Sequence, residues 1–265
     1  MKSYDNTIKY YELLMYYKDT AIYKKYSLPD GFHFEFYKDG NMNDWINIHI
    51  ESGEFCAIEE GIMIFHDFYD TFIQELNKRC IFIVDDKTNE KVGTATVSLL
   101  SKEEFGYNGA VDWVAIKKDY QGKGLAKPLI TKILEIANEL KHKGIILHTQ
   151  TTTWLAAKLY LDFGFNILNK NEENGWNILK TLTNHPKLNK FETLKIEEVY
   201  DKRNVEIEAQ LNQIFKDDNF NYSVWYKNGL HNVYVYYKNS TYEYEYFDYE
   251  NKIVLKEIEN KKYKR

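Results

Sequence analysis

Cysteine is scarce in this chain: Cys56 and Cys80 are the only two among 265 residues. Two thiols cannot build a disulfide framework, and the simplest reading is a pair of reduced cysteines in a cytoplasmic protein. No run approaches the apolar length of a membrane span, and residues 1–19 are too polar for a secretory signal. A basic surplus is missing as well. The 35 Lys and Arg stand against 40 Asp and Glu, a formal net charge of −5. Nucleic-acid binding over a whole surface leaves a basic footprint, so neither nucleic acid nor membrane is expected as a partner. His33, His49, His66, His142, His185 and His231 show no ligand spacing with cysteine or acidic neighbours, so no metal is expected. None of this excludes a cationic amine, which a local acidic cleft would suit.

What is present is ordinary for a globular protein, with 44% hydrophobic and 28% charged residues. The length allows one large domain or two. The 23 tyrosines are read as compositional bias, so their number alone does not mark a binding surface. Apolar spacing at Tyr10, Leu13, Leu14 and Tyr17 predicts a helix within residues 1–30. Phe32, Phe34 and Phe36 alternate with His33 and Glu35 as a half-buried strand does. Asn43 or Asp44 can cap a helix carrying Trp45, Ile46 and Ile48. A loop at Ser52-Gly53-Glu54 follows, then a longer helix over residues 58–78. Strands are expected over 80–84 and 92–100, and a third ends at Ile116. After a helix starting near Ala126 comes a strand at 145–148. A helix capped by Thr151, Thr152 or Thr153 follows, and a hairpin pairs 165–168 with 176–182.

The stretch that organises the rest is VDWVAIKKDYQGKGLA, residues 111–126. A buried strand breaks into a glycine-punctuated loop, and an amphipathic helix begins. Small residues at Gly122, Gly124 and Ala126 let the backbone bend tightly and approach a ligand. At a helix start, successive N–H groups and the helix dipole both favour an anion. The Gly-Lys-Ser/Thr ending of a P-loop is absent, and the glycine spacing does not fit the dinucleotide fingerprint. On chemistry alone the loop is either a plain strand–helix connection or a diphosphate cradle.

Gln-x-x-Gly-x-Ala after a buried strand resembles the signature of the GCN5-related N-acetyltransferases (GNAT). The segment from Thr153 through Ala156, Leu159 and Tyr160 to Gly164-Phe165 resembles that family's closing helix. It departs at Thr153, where Asn is frequent. The resemblance covers about residues 31–183. It implies an α+β fold with a mixed, mostly antiparallel central sheet flanked by helices, and acetyl-CoA as co-substrate. The diphosphate would lie on the amides of Gln121, Gly122, Lys123, Gly124, Leu125 and Ala126. The pantetheine arm would run beside Val114, Ala115 and Ile116, with Thr153 and Ala156 adding contacts. Tyr160 would protonate the departing thiolate, a phenol being protonated at neutral pH. For the base, Asp112 has the side-chain parity of Val114 and Ile116, provided no bulge intervenes. His148 is the second candidate, and Glu54 is placed near the acceptor cleft. The implied reaction is direct attack of a small-molecule or peptide amine, with no covalent enzyme intermediate. The alternative is a non-catalytic CoA-binding or protein-interaction module on the same scaffold.

Asn184-His185-Pro186-Lys187 reads as a boundary. It divides an acetyltransferase domain, 1–186, with a helical extension at 1–30, from an accessory module, 187–265. The module would hold a helix at 197–216 and alternating strands, separated by turns at Asn228-Gly229 and Asn239-Ser240. It reads either as a packing lid or dimerisation element, or as a peptide-recognition module using exposed tyrosines. An exposed edge strand could pair two subunits into a homodimer. Acceptor choice is expected to reside in residues 39–60, 101–110 and 169–176.

Overall fold

Leu13, Leu14 and Met15 are all buried, and that decides where the N-terminal segment goes. In the computed structural model, residues 4–168, 173–216, 220–227, 230–238, 240–249 and 252–262 are described. Residues 12–17 form a strand, β1 (Glu12–Tyr17), not the helix expected within residues 1–30. Leu13 and Met15 enter the main core, whereas Leu14 packs with Ala110 and Ile146 on the opposite face. A strand buried on both faces carries a continuous apolar run, which periodicity cannot separate from a buried helix.

The remaining elements of the first unit are β2 (Phe32–Phe36), α1 (Met42–Ser52), α2 (Ile58–Tyr69), α3 (Leu76–Arg79), β3 (Cys80–Asp85), β4 (Glu90–Glu104), β5 (Tyr107–Ile116), α4 (Ala126–Glu139), β6 (Ile145–Gln150), α5 (Trp154–Phe163), β7 (Asn166–Ile167) and α6 (Glu173–Thr183). They build a seven-stranded sheet in the order β2-β3-β4-β5-β6-β1-β7. Its ladders are antiparallel except for β5 beside β6. The sheet is therefore mixed and mostly antiparallel, as expected.

Two expected elements differ. The helix over 58–78 stops at Tyr69 and gives way to a 3-10 turn in which Phe72 has φ −141°. Residues 176–182 are helical, within α6, and place Trp176 and Leu179 in the main core. The partner of β7 is instead β1, through Met15 opposite Ile167 and Tyr16 opposite Asn166. The slot expected for the last hairpin strand is thus filled from the beginning of the chain.

The helices cover the sheet on both sides. α4, α5 and α6 pack on the face of Ile81, Ile83, Val97 and Leu147. α1 and α2 pack on the other, against Cys80, Phe82 and Val84, with Trp45 at 0% exposure in their midst. Leu188 and Phe191 still pack into the main core, beyond Pro186.

The C-terminal unit comprises α7 (Ile196–Val199), α8 (Lys202–Phe215) and a four-stranded meander, β8 (Phe220–Lys227), β9 (Leu230–Tyr237), β10 (Ser240–Tyr249) and β11 (Lys252–Lys262). Ile207 and Leu211 of α8 pack on Phe220, Val233 and Val235. Tyr222 and Tyr244 are buried in this small core, and Tyr237 and Tyr242 lie against it, so these four pack instead of forming a platform. The turns expected at Asn228-Gly229 and at Asn239 fall outside the described residues. The meander touches the first unit near the end of α1, where Asn221 Nδ2 donates to the Ile50 carbonyl at 2.7 Å. Asn6 Nδ2 donates to the Tyr222 carbonyl at 2.8 Å.

Candidate active site

The parallel ladder of β5 and β6 joins Ala110 to Ile146 and Val111 to Leu147, and ends there. β5 continues to Ile116 and β6 to Gln150, so the two strands run on without pairing to each other. A wedge opens between them. On its other edge β5 is bulged: Thr94 faces Ala115 but Thr96 faces Asp112, leaving Ala95 opposite both Trp113 and Val114. Trp113 takes up the extra residue with φ +53°, an uncommon conformation for a large side chain. It is held by rings on every side, those of Trp45, His49, Phe55 and Phe68 having centroids 4.9 to 5.5 Å away.

The bulge changes which side chains share a face. Val114 and Ile116 turn with Val111 to the main core. Asp112 instead lies opposite Thr96, whose hydroxyl is 2.9 Å from that of Tyr69 on α2. The common parity expected for Asp112, Val114 and Ile116 is therefore lost, because one inserted residue reverses it.

The wedge leads to the glycine loop. Gly122 and Gly124 have φ +76° and +82°, the left-handed region that glycine enters without a Cβ penalty. Among the described residues, no carbonyl or side chain accepts from the amides of residues 122–127. The Gln121 amide differs, donating to the Lys118 carbonyl at 3.2 Å. The Gln121 side chain turns back, Nε2 donating to the Ile116 carbonyl at 2.9 Å and closing the strand end. No acidic residue lies in the first turn of α4. Lys123 Nζ rests 4.2 Å above the Tyr120 ring. Unpaired amides at a helix start, with Lys123 beside them, favour an anion by the physics of the backbone alone. That arrangement fits the diphosphate of a CoA thioester.

Val114, Ala115, Ile116, Gln121, Thr153, Ala156 and Tyr160 line one cleft, together with His148 and Glu54. Tyr160 sits on α5 with its ring 5.6 Å from that of Phe165. Burial raises its phenol pKa, and the charges of Glu54 and Asp112 act the same way. It is therefore a proton donor at neutral pH. His148 is 37% exposed, with Nδ1 2.8 Å from Glu12 Oε1 and Nε2 3.4 Å from Glu104 Oε2. Asp112 is half-buried and does not line the cleft. Burial pushes its carboxyl pKa up, while neighbouring Ser98 and His148 act in the other direction. Thr153 Oγ1 donates to the Gln150 carbonyl at 3.1 Å and so is tied to the strand end.

Residues 42–165 match the sequence profile of the acetyltransferase (GNAT) family. They form a GNAT acetyltransferase domain. Among solved structures, the chain is similar to a GCN5-related N-acetyltransferase from Sphaerobacter thermophilus, at 13% identity and a TM-score of 0.50. The match covers 61% of this chain and 49% of that one. An acetyltransferase from the GNAT family of Colwellia psychrerythraea matches at 13% identity and a TM-score of 0.46, over 61% and 55% of the two chains. At such identity the likeness is one of fold. The chain spans about half the length of these solved proteins. No curated protein matches it.

The structure adds residues that the sequence did not single out. Tyr4, Ser52, Trp113, Thr149 and Gln150 also line the cleft. Tyr4 reaches it from the N-terminal segment, and its phenol pKa is pushed up to about 12, chiefly by burial. Glu54 Oε2 lies 2.6 Å from His49 Nδ1, a histidine whose side chain is 0% exposed. No local pattern marks Tyr4, Thr149, Gln150 or the pairing of His49 with Glu54, since they come together only when the chain is folded.

Proposed function

We propose that this chain is an N-acetyltransferase that moves an acetyl group from acetyl-CoA to a primary amine in a ternary complex. The observation that carries the reading is the wedge between β5 and β6 leading to the unpaired amides of residues 122–127. Free edges on two diverging strands can hydrogen-bond an extended amide-bearing arm. The helix start can hold two phosphates.

Each group has a role in this scheme. The amides of residues 122–127 bind the diphosphate, and Val114, Ala115 and Ile116, beyond the end of the β5–β6 ladder, orient the pantetheine. Thr153 and Ala156 border the arm from the α5 side. Tyr160 protonates the sulfur as the C–S bond breaks, and burial keeps its proton in place until then. His148 lines the acceptor side of the cleft, whereas Asp112 lies off it. Glu12, Glu54 and Glu104 gather carboxylates around the acceptor side, which favours a cationic small molecule or peptide amine. Two buried free thiols are in keeping with a cytoplasmic setting.

The test is thiol release from acetyl-CoA by the full chain across alkylamines, lysyl peptides and hydroxylamine, with products identified by mass spectrometry. Release dependent on an amine, with the acetyl group found on its nitrogen, is the expected result. An absence of release with every amine, despite binding of acetyl-CoA, would overturn it.

A further inference from the structure

His49 is an expensive residue to bury where it is. Its side chain is wholly enclosed among the rings of Trp45, Phe55 and Trp113, with centroids 4.3 to 5.4 Å away. Its Nε2 is buried with no hydrogen-bond partner among the described residues. An unpaired buried nitrogen costs roughly 1–3 kcal/mol, and a phenylalanine would fill such an aromatic nest without that cost. What the histidine provides is Nδ1, 2.6 Å from Glu54 Oε2. An ionised carboxylate only accepts, so this geometry assigns the proton to Nδ1.

Glu54 is held by the backbone as well. The amides of Glu54 and Phe55 both donate to the His49 carbonyl, at 2.9 and 3.2 Å, and Gly53 turns the chain at φ +93°. Asn221 of the C-terminal meander fastens the same turn through the Ile50 carbonyl. Yet the Glu54 side chain is 26% exposed and lines the cleft that contains Tyr160 and His148. Its second oxygen has no hydrogen-bond partner among the described residues. This is a rigid, oriented carboxylate presented to the cleft by a buried support.

We propose that Glu54 is the carboxylate that binds the ammonium group of the acceptor and takes its proton, and that His49 is its positioning residue. The inference rests on the acetyltransferase reading. An N–H bond of the ammonium breaks, its electron pair stays on nitrogen, and the proton goes to Glu54. The nitrogen then forms a bond to the thioester carbonyl carbon, and the C–S bond breaks with its pair leaving on sulfur. Tyr160 gives a proton to that sulfur, and the second amine proton replaces it. Glu54 releases its own proton to water. Ammonium and thioester thus become amide, thiol and one proton.

The titratable groups around Glu54 include His49 of α1, Glu60 of α2, Tyr160 of α5 and Tyr4 of the N-terminal segment, and His148 of β6 lines the same cleft. Burial pushes the Glu60 carboxyl pKa up, so Glu60→Gln serves as a control for any carboxylate limb in a pH profile.

The experiment compares the best alkylamine of the panel, an ammonium ion at neutral pH, with hydroxylamine, which is largely neutral there. Glu54→Gln should lower kcat/KM for the alkylamine by roughly 100-fold, the scale of a lost general base. It should change hydroxylamine turnover little and acetyl-CoA affinity not at all. His49→Phe keeps a ring in the nest but removes the donor. It should move the acidic limb of kcat/KM to higher pH, and His49→Gln should move it back. A purely structural histidine would lower the melting temperature without shifting that limb. Equal losses for both amines in Glu54→Gln, or a stationary limb in His49→Phe, would overturn the proposal. If the wild-type chain binds acetyl-CoA but acetylates no amine, the acetyltransferase reading fails first and this inference with it.

Discussion

Gly61 of α2 sits directly against Ile46 of α1: a methyl group added at Gly61 would meet Ile46 Cγ2 at 2.6 Å. The two helices can approach this closely only because α2 has no side chain there, and the loop between them carries Glu54. Gly61→Ala gains about 1 kcal/mol of helix propensity but overpacks the contact at a cost of about 1–3 kcal/mol. The expected net result is a small loss, a drop in melting temperature of about 2–4 °C per kcal/mol. A thermal melt that moved upward would show that the α1–α2 contact yields more easily than its geometry implies.

In the glycine loop, strain and function separate cleanly. Nothing lies within 4 Å of a Cβ added at Gly122, so only its φ of +76° opposes substitution. Gly122→Ala should cost about 1–2 kcal/mol if the left-handed backbone is kept. The cheaper response is for the loop to relax and re-aim its amides. Acetyl-CoA affinity measured by calorimetry should therefore fall about tenfold, equivalent to about 1.4 kcal/mol, with the melting temperature nearly unchanged. Undiminished affinity would remove this loop from the donor site.

Tyr160 presents the opposite case, a side chain whose loss should be silent in folding. Its hydroxyl makes no hydrogen bond among the described residues, and its ring packs on Phe165. Tyr160→Phe keeps the ring and should leave stability and acetyl-CoA binding as they are. Turnover should drop by roughly 100-fold, the lower end expected for a general acid. Rapid-quench kinetics with saturating amine would measure it, and full turnover would exclude the role.

His142 sets a pH dependence of stability. It is 5% exposed, with Nδ1 3.0 Å from Asn108 Oδ1 and Nε2 3.5 Å from Arg79 Nη1. Burial, and then the Arg79 charge, hold its pKa below the ordinary value of 6.5. The unfolded chain therefore takes up a proton that the folded chain resists. This contribution is fully present above the ordinary value and is lost as pH falls through the folded one. Melting temperature followed from about pH 7 to about pH 5 should fall less steeply in His142→Gln than in the wild type. Parallel slopes would mean that other groups carry the dependence.

The donor half of the candidate site was legible because it is local. Gln121, Gly122, Gly124 and Ala126 are near neighbours in the chain, and unpaired amides at a helix start favour an anion. The place of Tyr160 in the cleft was legible through the short segment around it. The helices α1, α4 and α5 were also readable, since each repeats its buried side chains at the helical period, whereas α6 was expected as a strand. The run Leu13-Leu14-Met15 was not, because a strand enclosed on both faces loses the alternation that identifies it.

The acceptor half was a matter for the tertiary structure. Asp112 changed faces because a register shift against Thr94 and Thr96 inserted Trp113, and register belongs to a pair of strands, not to either one. Glu54, placed near the acceptor cleft from the sequence, gained its oriented support from the burial of His49, and Tyr4 and His148 line the same cleft from segments far away in sequence. Backbone geometry can be written in a few consecutive residues, so the sequence by itself determined the helix-start loop. Which carboxylate faces an incoming amine depends on packing between distant elements, and folding alone settles that.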